Sequence, residues 1–93
     1  MSDSIICNDQ ECFICGKRDQ LHKHHIYHTT ANRQVSEAEG CWVYLCGYHH
    51  NLSNEGVHYN TPFDITLKKL CQIVWEQKGE RDEFRKLFGK SWL

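Results

Sequence analysis

Cys41-Trp42-Val43-Tyr44-Leu45-Cys46-Gly47-Tyr48-His49-His50 runs six aromatic, β-branched and apolar residues straight into a Cys-x-x-His turn. A run that short and that rich in β-formers predicts a strand rather than a helix, so the turn is carried at a strand's end. Upstream, Cys12-Phe13-Ile14-Cys15-Gly16 places two further soft donors two residues apart. Zinc prefers four ligands in a tetrahedron, and these two turns supply Cys12, Cys15, Cys46 and His49. The pattern predicts a small fold tied together by one ion. Because His49 and His50 are adjacent, the sequence leaves open which of them faces that ion, and Cys7 stands as a substitute ligand.

The rest of the composition is consistent with such a staple. Ninety-three residues make a single domain over 1–93, with no room for separate cofactor and substrate domains. With 40% hydrophobic and 25% charged residues and one Pro, the chain is neither disordered nor collagen-like. No apolar run approaches the roughly 20 residues of a membrane helix, and Met1 to Ile6 lacks the blocks of a signal peptide. The expectation is a soluble, cytoplasmic protein with no membrane partner. In a reducing compartment the six Cys read as metal ligands or packed thiols rather than as three disulfides. Cys7, Cys41 and Cys71 are accordingly read as small buried or surface residues.

Net charge is −1, which gives no general footprint for a polyanion, but its distribution is uneven. Residues 1–60 carry four basic and seven acidic side chains, whereas residues 61–93 carry seven basic and five acidic. The basic side of the molecule therefore lies C-terminal. Three metal-bound thiolates and two divalent ions would bring the formal total to zero, and a bound phosphate would meet the ion before the net charge.

Along the chain, residues 1–11 read as a loose leader. Leu21 to Tyr27 lacks a helical stripe and predicts a strand that leads into an irregular polar loop around Thr29 to Arg33, and it can pair with the strand at 41–46. Tyr48 to Glu55 reads as a short helix or turn, interrupted by Gly56. Thr61-Pro62-Phe63-Asp64 opens a helix, with a hydroxyl cap, Pro at the first helical position and a carboxylate near the positive end of the dipole. Its apolar stripe is Ile65, Leu67, Leu70, Cys71, Val74 and Trp75, its polar face Lys68, Lys69, Gln72 and Gln77, and Gly79 ends it. A second helix from about Glu80 presents Phe84, Leu87 and Phe88 and stops at Gly89, after which Trp92 and Leu93 dock. The clean helical period assigns these aromatics to packing rather than to base stacking.

Setting aside His49, six histidines remain: His22, His24, His25, His28, His50 and His58. Solvated surface residues are the plain reading. Their order suggests chemistry instead, because phosphodiester hydrolysis needs a base near neutral pH and a cation for the phosphoryl oxygens, and neutral imidazoles can act as the one and hold the other. Consecutive strand residues point to opposite faces, so His24 and His25 can share a site only where the strand bends or ends.

Cys12-x-x-Cys15, His24-His25-Ile26, the run Val43 to Asn51 and Gly56-Val57-His58 together resemble the HNH endonucleases in their zinc-knuckle form, as found in small phage-encoded members. The likeness spans roughly residues 10–60. It implies an α+β chain: a zinc-stabilised ββα-metal (His-Me finger) core over 12–60 with a C-terminal helical extension over 61–93. It implies a DNA-cleaving hydrolase in a bacterial host, with His25 as general base, a catalytic magnesium or manganese on His24 with His50 and His58, and structural zinc on Cys12, Cys15, Cys46 and His49. Lys23, Arg33, Lys68, Lys69, Arg81, Arg85 and Lys86 are candidate phosphate contacts, and sequence choice would come from DNA shape or a partner protein. Two features depart from the family. The stretch expected to hold the motif Asn reads Gly40-Cys41-Trp42, with Asn32 and Asn51 as the alternatives, and the second knuckle ends in His49 where many relatives have Cys. The competing reading is a non-catalytic zinc-binding module that contacts DNA or protein.

Overall fold

A computed structural model describes residues 3–50 and 61–93 of the chain. His58, Asn51 and the Gly56-Val57 motif lie outside the described residues. The elements are β1 (Leu21–His25), α1 (Thr30–Glu39), β2 (Trp42–Cys46), α2 (Gly47–His50), α3 (Thr61–Trp75) and α4 (Arg81–Phe88). The small α+β architecture agrees with the expectation from sequence.

The two strands pair antiparallel, with Leu21 opposite Cys46, His24 opposite Val43 and His25 opposite Trp42. Directly opposed residues share a face. Val43, Leu45 and His24 are therefore buried together, while Lys23, Tyr44, His25 and Trp42 lie on the other side. Lys23 Nζ sits 4.2 Å over the Trp42 ring, which stacks edge-on with Tyr44.

The segment read as an irregular polar loop is instead the ten-residue helix α1. Thr29 caps it, its hydroxyl accepting the Asn32 N–H, and Gly40 ends it in the left-handed conformation at φ 74°. Few apolar residues mark the helix, so its inward face was easy to overlook; that face is carried by Ser36, fully buried, and by half-buried Val35. A second correction concerns residues 1–11. Ser4 is buried and its hydroxyl donates to the Trp42 carbonyl at 2.6 Å, Ile5 N–H donates to the Gly40 carbonyl at 2.9 Å, and a Cβ on Gly40 would meet the Asp3 carbonyl. From Asp3 to Asn8 the segment is pinned to the hairpin rather than loose.

The helical half departs from the expected faces at four residues: Gln72 and Lys68 turn inward, while Leu87 and Leu93, expected to pack, are exposed. Tyr27 lies against Phe88, Trp92 and Phe84 at ring-centroid distances of 4.4, 4.7 and 5.4 Å, and Phe84 also meets Trp75. These aromatics form the core and are not a stacking platform. The buried side of α3 is Leu67, Cys71, Gln72 and Trp75. Gln72, placed on the polar face by periodicity, points inward because it is hydrogen-bonded in full: its amide donates to Glu76 and Ser91, and its carbonyl accepts the Trp92 N–H at 2.8 Å. That contact docks Trp92. Lys68 is likewise drawn in, paired to Asp64 at 2.8 Å. Cys41 and Cys71 are buried thiols and Cys7 is half-buried; none forms a disulfide. Among the described residues no helix is long and apolar enough to cross a membrane.

Candidate metal centre and histidine cleft

The first knuckle is a turn from Cys12 to Gly16, closed by the Gly16 N–H donating to the Cys12 carbonyl at 2.8 Å, with Gly16 at φ 76°. Phe13 N–H donates to the Tyr44 carbonyl, which lays this turn beside the end of β2. The second knuckle is the step from β2 into α2, where Cys46 leaves the strand and His49 follows on the first turn. The two turns converge: Cys12, Cys15, Cys46 and His49 have ligand atoms all within 4.8 Å of one another. Cys15 Sγ and Cys46 Sγ are 3.7 Å apart, His49 Nδ1 is 3.7 Å from Cys12 Sγ, and it is 3.4 Å from Cys46 Sγ.

Those separations suit a tetrahedral ion. Bond lengths of about 2.3 Å to sulfur and about 2.0 Å to nitrogen give tetrahedral edges of roughly 3.8 Å for S···S and roughly 3.5 Å for S···N. A Cys3His set with such edges could hold a metal ion such as zinc. The electrostatics agree. Burial pushes the Cys12 thiol up, but backbone N–H groups of Cys46, Cys15 and Ile14 outweigh it and bring it down to about 6, which favours the thiolate a metal requires. Cys15 is held above its ordinary value: a backbone bond at Lys17 favours its thiolate, but desolvation and the thiols of Cys12 and Cys46 beside it prevail. A dication would relieve that crowding. The structure thus selects His49 over His50 for this cluster, and Cys7 takes no part.

His50, one residue on, faces the other way. Its Nδ1 lies 2.8 Å from Nδ1 of His22, so one ring donates to the other, and its ring centroid is 5.4 Å from that of His24. His24 is 2% exposed and also meets His28 at 5.7 Å. His24, His25, His28 and His50, with Lys23 and Arg33, line a cleft of about 290 Å³. Both members of the His24-His25 pair reach it because β1 ends at His25. Among the described residues, no second set of three or more His, Cys, Asp or Glu ligand atoms converges as the Cys3His group does.

Two carboxylates hold the cleft's outer histidines. Glu37 on α1 accepts from His25 Nε2 at 2.9 Å and from Lys23 Nζ at 3.1 and 3.2 Å. The hydrogen bond from His25, helped by Lys23, keeps the Glu37 carboxyl below its usual value. Asp64 on α3 accepts from His28 Nε2 at 3.0 Å; burial pushes its carboxyl up, but His28 and Lys68 together hold it below the ordinary range.

The turn after His25 is ordered without the motif Asn. The Ser36 hydroxyl donates to the Tyr27 carbonyl at 3.0 Å and accepts the Tyr27 N–H at 3.3 Å, and Ile26 N–H donates to the Cys41 carbonyl at 2.9 Å. Asn32 is occupied elsewhere, donating to the Phe88 carbonyl at 3.1 Å and so tying α1 to α4. Of the basic residues named from sequence, Lys23 and Arg33 line the cleft, Lys68 and Arg81 are paired to Asp64 and Glu76, and Arg85 and Lys86 flank a separate surface hollow with Asp82. Sequence reasoning gave no site role to His22, His28 and Asp64, which it named, and did not reach Glu37 or Ser36. His22 had a signal, since it alternates with His24 on one strand face; the carboxylates arrive through tertiary packing and left none.

Compared with protein-family models, with curated proteins and with solved structures, the chain shows no significant match in any of the three.

Proposed function

We propose that the chain is a metal-dependent DNA endonuclease of the HNH type, with zinc on Cys12, Cys15, Cys46 and His49 as its structural staple. The observation that carries the reading is the cleft itself: four imidazoles and two cationic side chains around one opening, joined through the His49-His50 step to a Cys3His cluster whose ligand atoms lie within 4.8 Å of one another. A phosphodiester fits this lining, since Arg33 and Lys23 offer charge-assisted donors to phosphoryl oxygens and the imidazoles offer a base.

His24 and His50, with His58 beyond the described residues, would hold a catalytic magnesium or manganese, whose charge would stabilise the phosphoryl oxygens and the departing 3′ oxygen. Imidazole binds magnesium weakly, so phosphate and water would have to complete the shell and occupancy would depend on substrate. His25 takes a proton from the attacking water as its oxygen bonds to phosphorus; the bond from phosphorus to the 3′ oxygen breaks, that oxygen takes up a proton from solvent, and a 5′-phosphate end remains. Asp64 fixes His28, and Arg33 meets the strand at the rim. Sequence choice resides in DNA shape or a partner protein.

The rival is a non-catalytic zinc-binding module that contacts DNA or protein. It draws on the hydrogen bonds that already engage His50 with His22, His25 with Glu37 and His28 with Asp64, which a purely structural polar network would also display. His25→Ala separates the two. Zinc-loaded protein with magnesium or manganese is expected to nick supercoiled plasmid, and the variant is expected to keep its zinc and fold yet lose cutting. Undiminished cutting by the variant would remove His25 as the base, and no cutting by wild type with any divalent ion would favour the rival.

A further inference from the structure

We infer that Glu37, on the helix between the two strands, is the positioning residue of the cleft's base: it fixes which nitrogen of His25 carries the proton and which way the ring faces. The inference rests on the nuclease reading of the cleft. Glu37 Oε1 lies 2.9 Å from His25 Nε2. An ionised carboxylate only accepts, so the Nε2 position of His25 must carry the hydrogen and Nδ1 is left with the lone pair. A general base needs its lone pair aimed at the water, and a ring with either nitrogen protonated presents it only part of the time.

Glu37 is itself held. Lys23 Nζ grips both of its oxygens, at 3.2 and 3.1 Å, and lies 4.2 Å over the Trp42 ring, so the carboxylate is anchored to the strand pair that carries His25. His25 and Glu37 side chains are 20% and 32% exposed, leaving the ring accessible from the cleft while its far edge is tied down. Glu37 follows Ser36, whose hydroxyl fixes the Tyr27 backbone just past His25. Consecutive residues of α1 therefore set the turn and the ring.

The test reads the ring before it reads activity. Long-range nitrogen–proton NMR of the zinc-loaded chain, at one pH where His25 is neutral, is expected to give His25 as the Nε2–H tautomer in wild type and as a mixture in Glu37→Ala. Glu37→Gln, whose amide oxygen can still accept, is expected to restore the single tautomer. In plasmid nicking, Glu37→Ala is expected to lower kcat about 10- to 100-fold, the usual effect of losing a group that orients a functional histidine, with KM within about twofold. Glu37→Gln should recover most of that loss. An Nδ1–H tautomer in wild type, or the same tautomer and kcat in Glu37→Ala, would overturn the assignment. So would a glutamine variant that regains the tautomer but none of the activity. If wild type does not nick at all, the nuclease reading fails and the catalytic role falls with it, while the NMR result still reports whether the contact exists.

Discussion

His49 and His50 are neighbours in the chain, yet they serve clusters of opposite character. His49 joins three thiols, all four ligand atoms lying within 4.8 Å of one another and three of their separations, at 3.4 to 3.7 Å, close to tetrahedral edges. His50 joins a group of imidazoles, bonding to His22 and packing beside His24, while His25 and His28 bond to carboxylates. Soft donors fixed by two tight turns are arranged for an ion that becomes part of the fold. The cleft's nitrogen donors show no such convergence among the described residues, and under the proposed function their site would be completed from outside, by phosphate and water. The contrast separates what holds the chain together from what the chain does.

The largest expected effect comes from breaking the first cluster. Structural zinc supplies roughly 10 kcal/mol or more in small domains, well beyond what a hydrophobic core of this size can lose. Stringent chelation, or Cys12→Ser, is expected to abolish cooperative unfolding of the hairpin half in circular dichroism, with about one equivalent of zinc released. Retention of a cooperative transition after chelation would count against the staple. The adjacent pair sharpens the point. His49→Ala should lose metal and stability together, whereas His50→Ala should keep its zinc and melting behaviour and lose nicking by about 100-fold or more. Equal behaviour of the two variants would merge the clusters into one.

Smaller effects probe how the cleft is held. Ser36→Ala strips the buried Tyr27 N–H and carbonyl of their partner, at a cost of about 1–3 kcal/mol in urea unfolding. A neutral result would mean the turn after His25 is ordered by the Ile26 contact with Cys41 alone. Asp64→Asn should cost about 1 kcal/mol near neutral pH. The sign follows from the depressed carboxyl: its stabilisation is full above the unfolded value near 3.8 and is lost as pH falls through the lower folded value. The gap between wild type and variant should therefore persist down to about pH 5 and close only at about pH 2 to 3. A gap that shrinks already above about pH 5 would place Asp64 at or above the ordinary carboxylate range.

The same contrast explains what could be read from sequence. The Cys3His cluster was legible because both ligand pairs are local, two residues apart, and each needs only a tight turn. Strands and C-terminal helices were legible because Leu67, Cys71, Trp75, Phe84 and Phe88 carry clear helical spacing and Val43 and Leu45 a clear alternation. Helix α1 was not, because its inward face rests on Ser36 and Val35 rather than on an apolar stripe, although Thr29 and Gly40 bracket it as cap and stop. Gln72 escaped for a related reason: its burial is set by the distant partners Ser91 and Trp92. Glu37 and Asp64 could not be assigned to the histidines before the helices bearing them were placed. Polar networks of this kind are fixed by three-dimensional neighbours and leave no period in the chain.

Anomalous diffraction from crystals of the zinc-loaded chain grown with manganese and a short DNA duplex tests the two-cluster account most directly. The expected result is a zinc peak about 2.3 Å from the sulfurs of Cys12, Cys15 and Cys46 and a separate manganese peak in the cleft beside His24 and His50, against a phosphate. Manganese found only at the thiols, or a cleft empty of metal with DNA bound elsewhere, would contradict it.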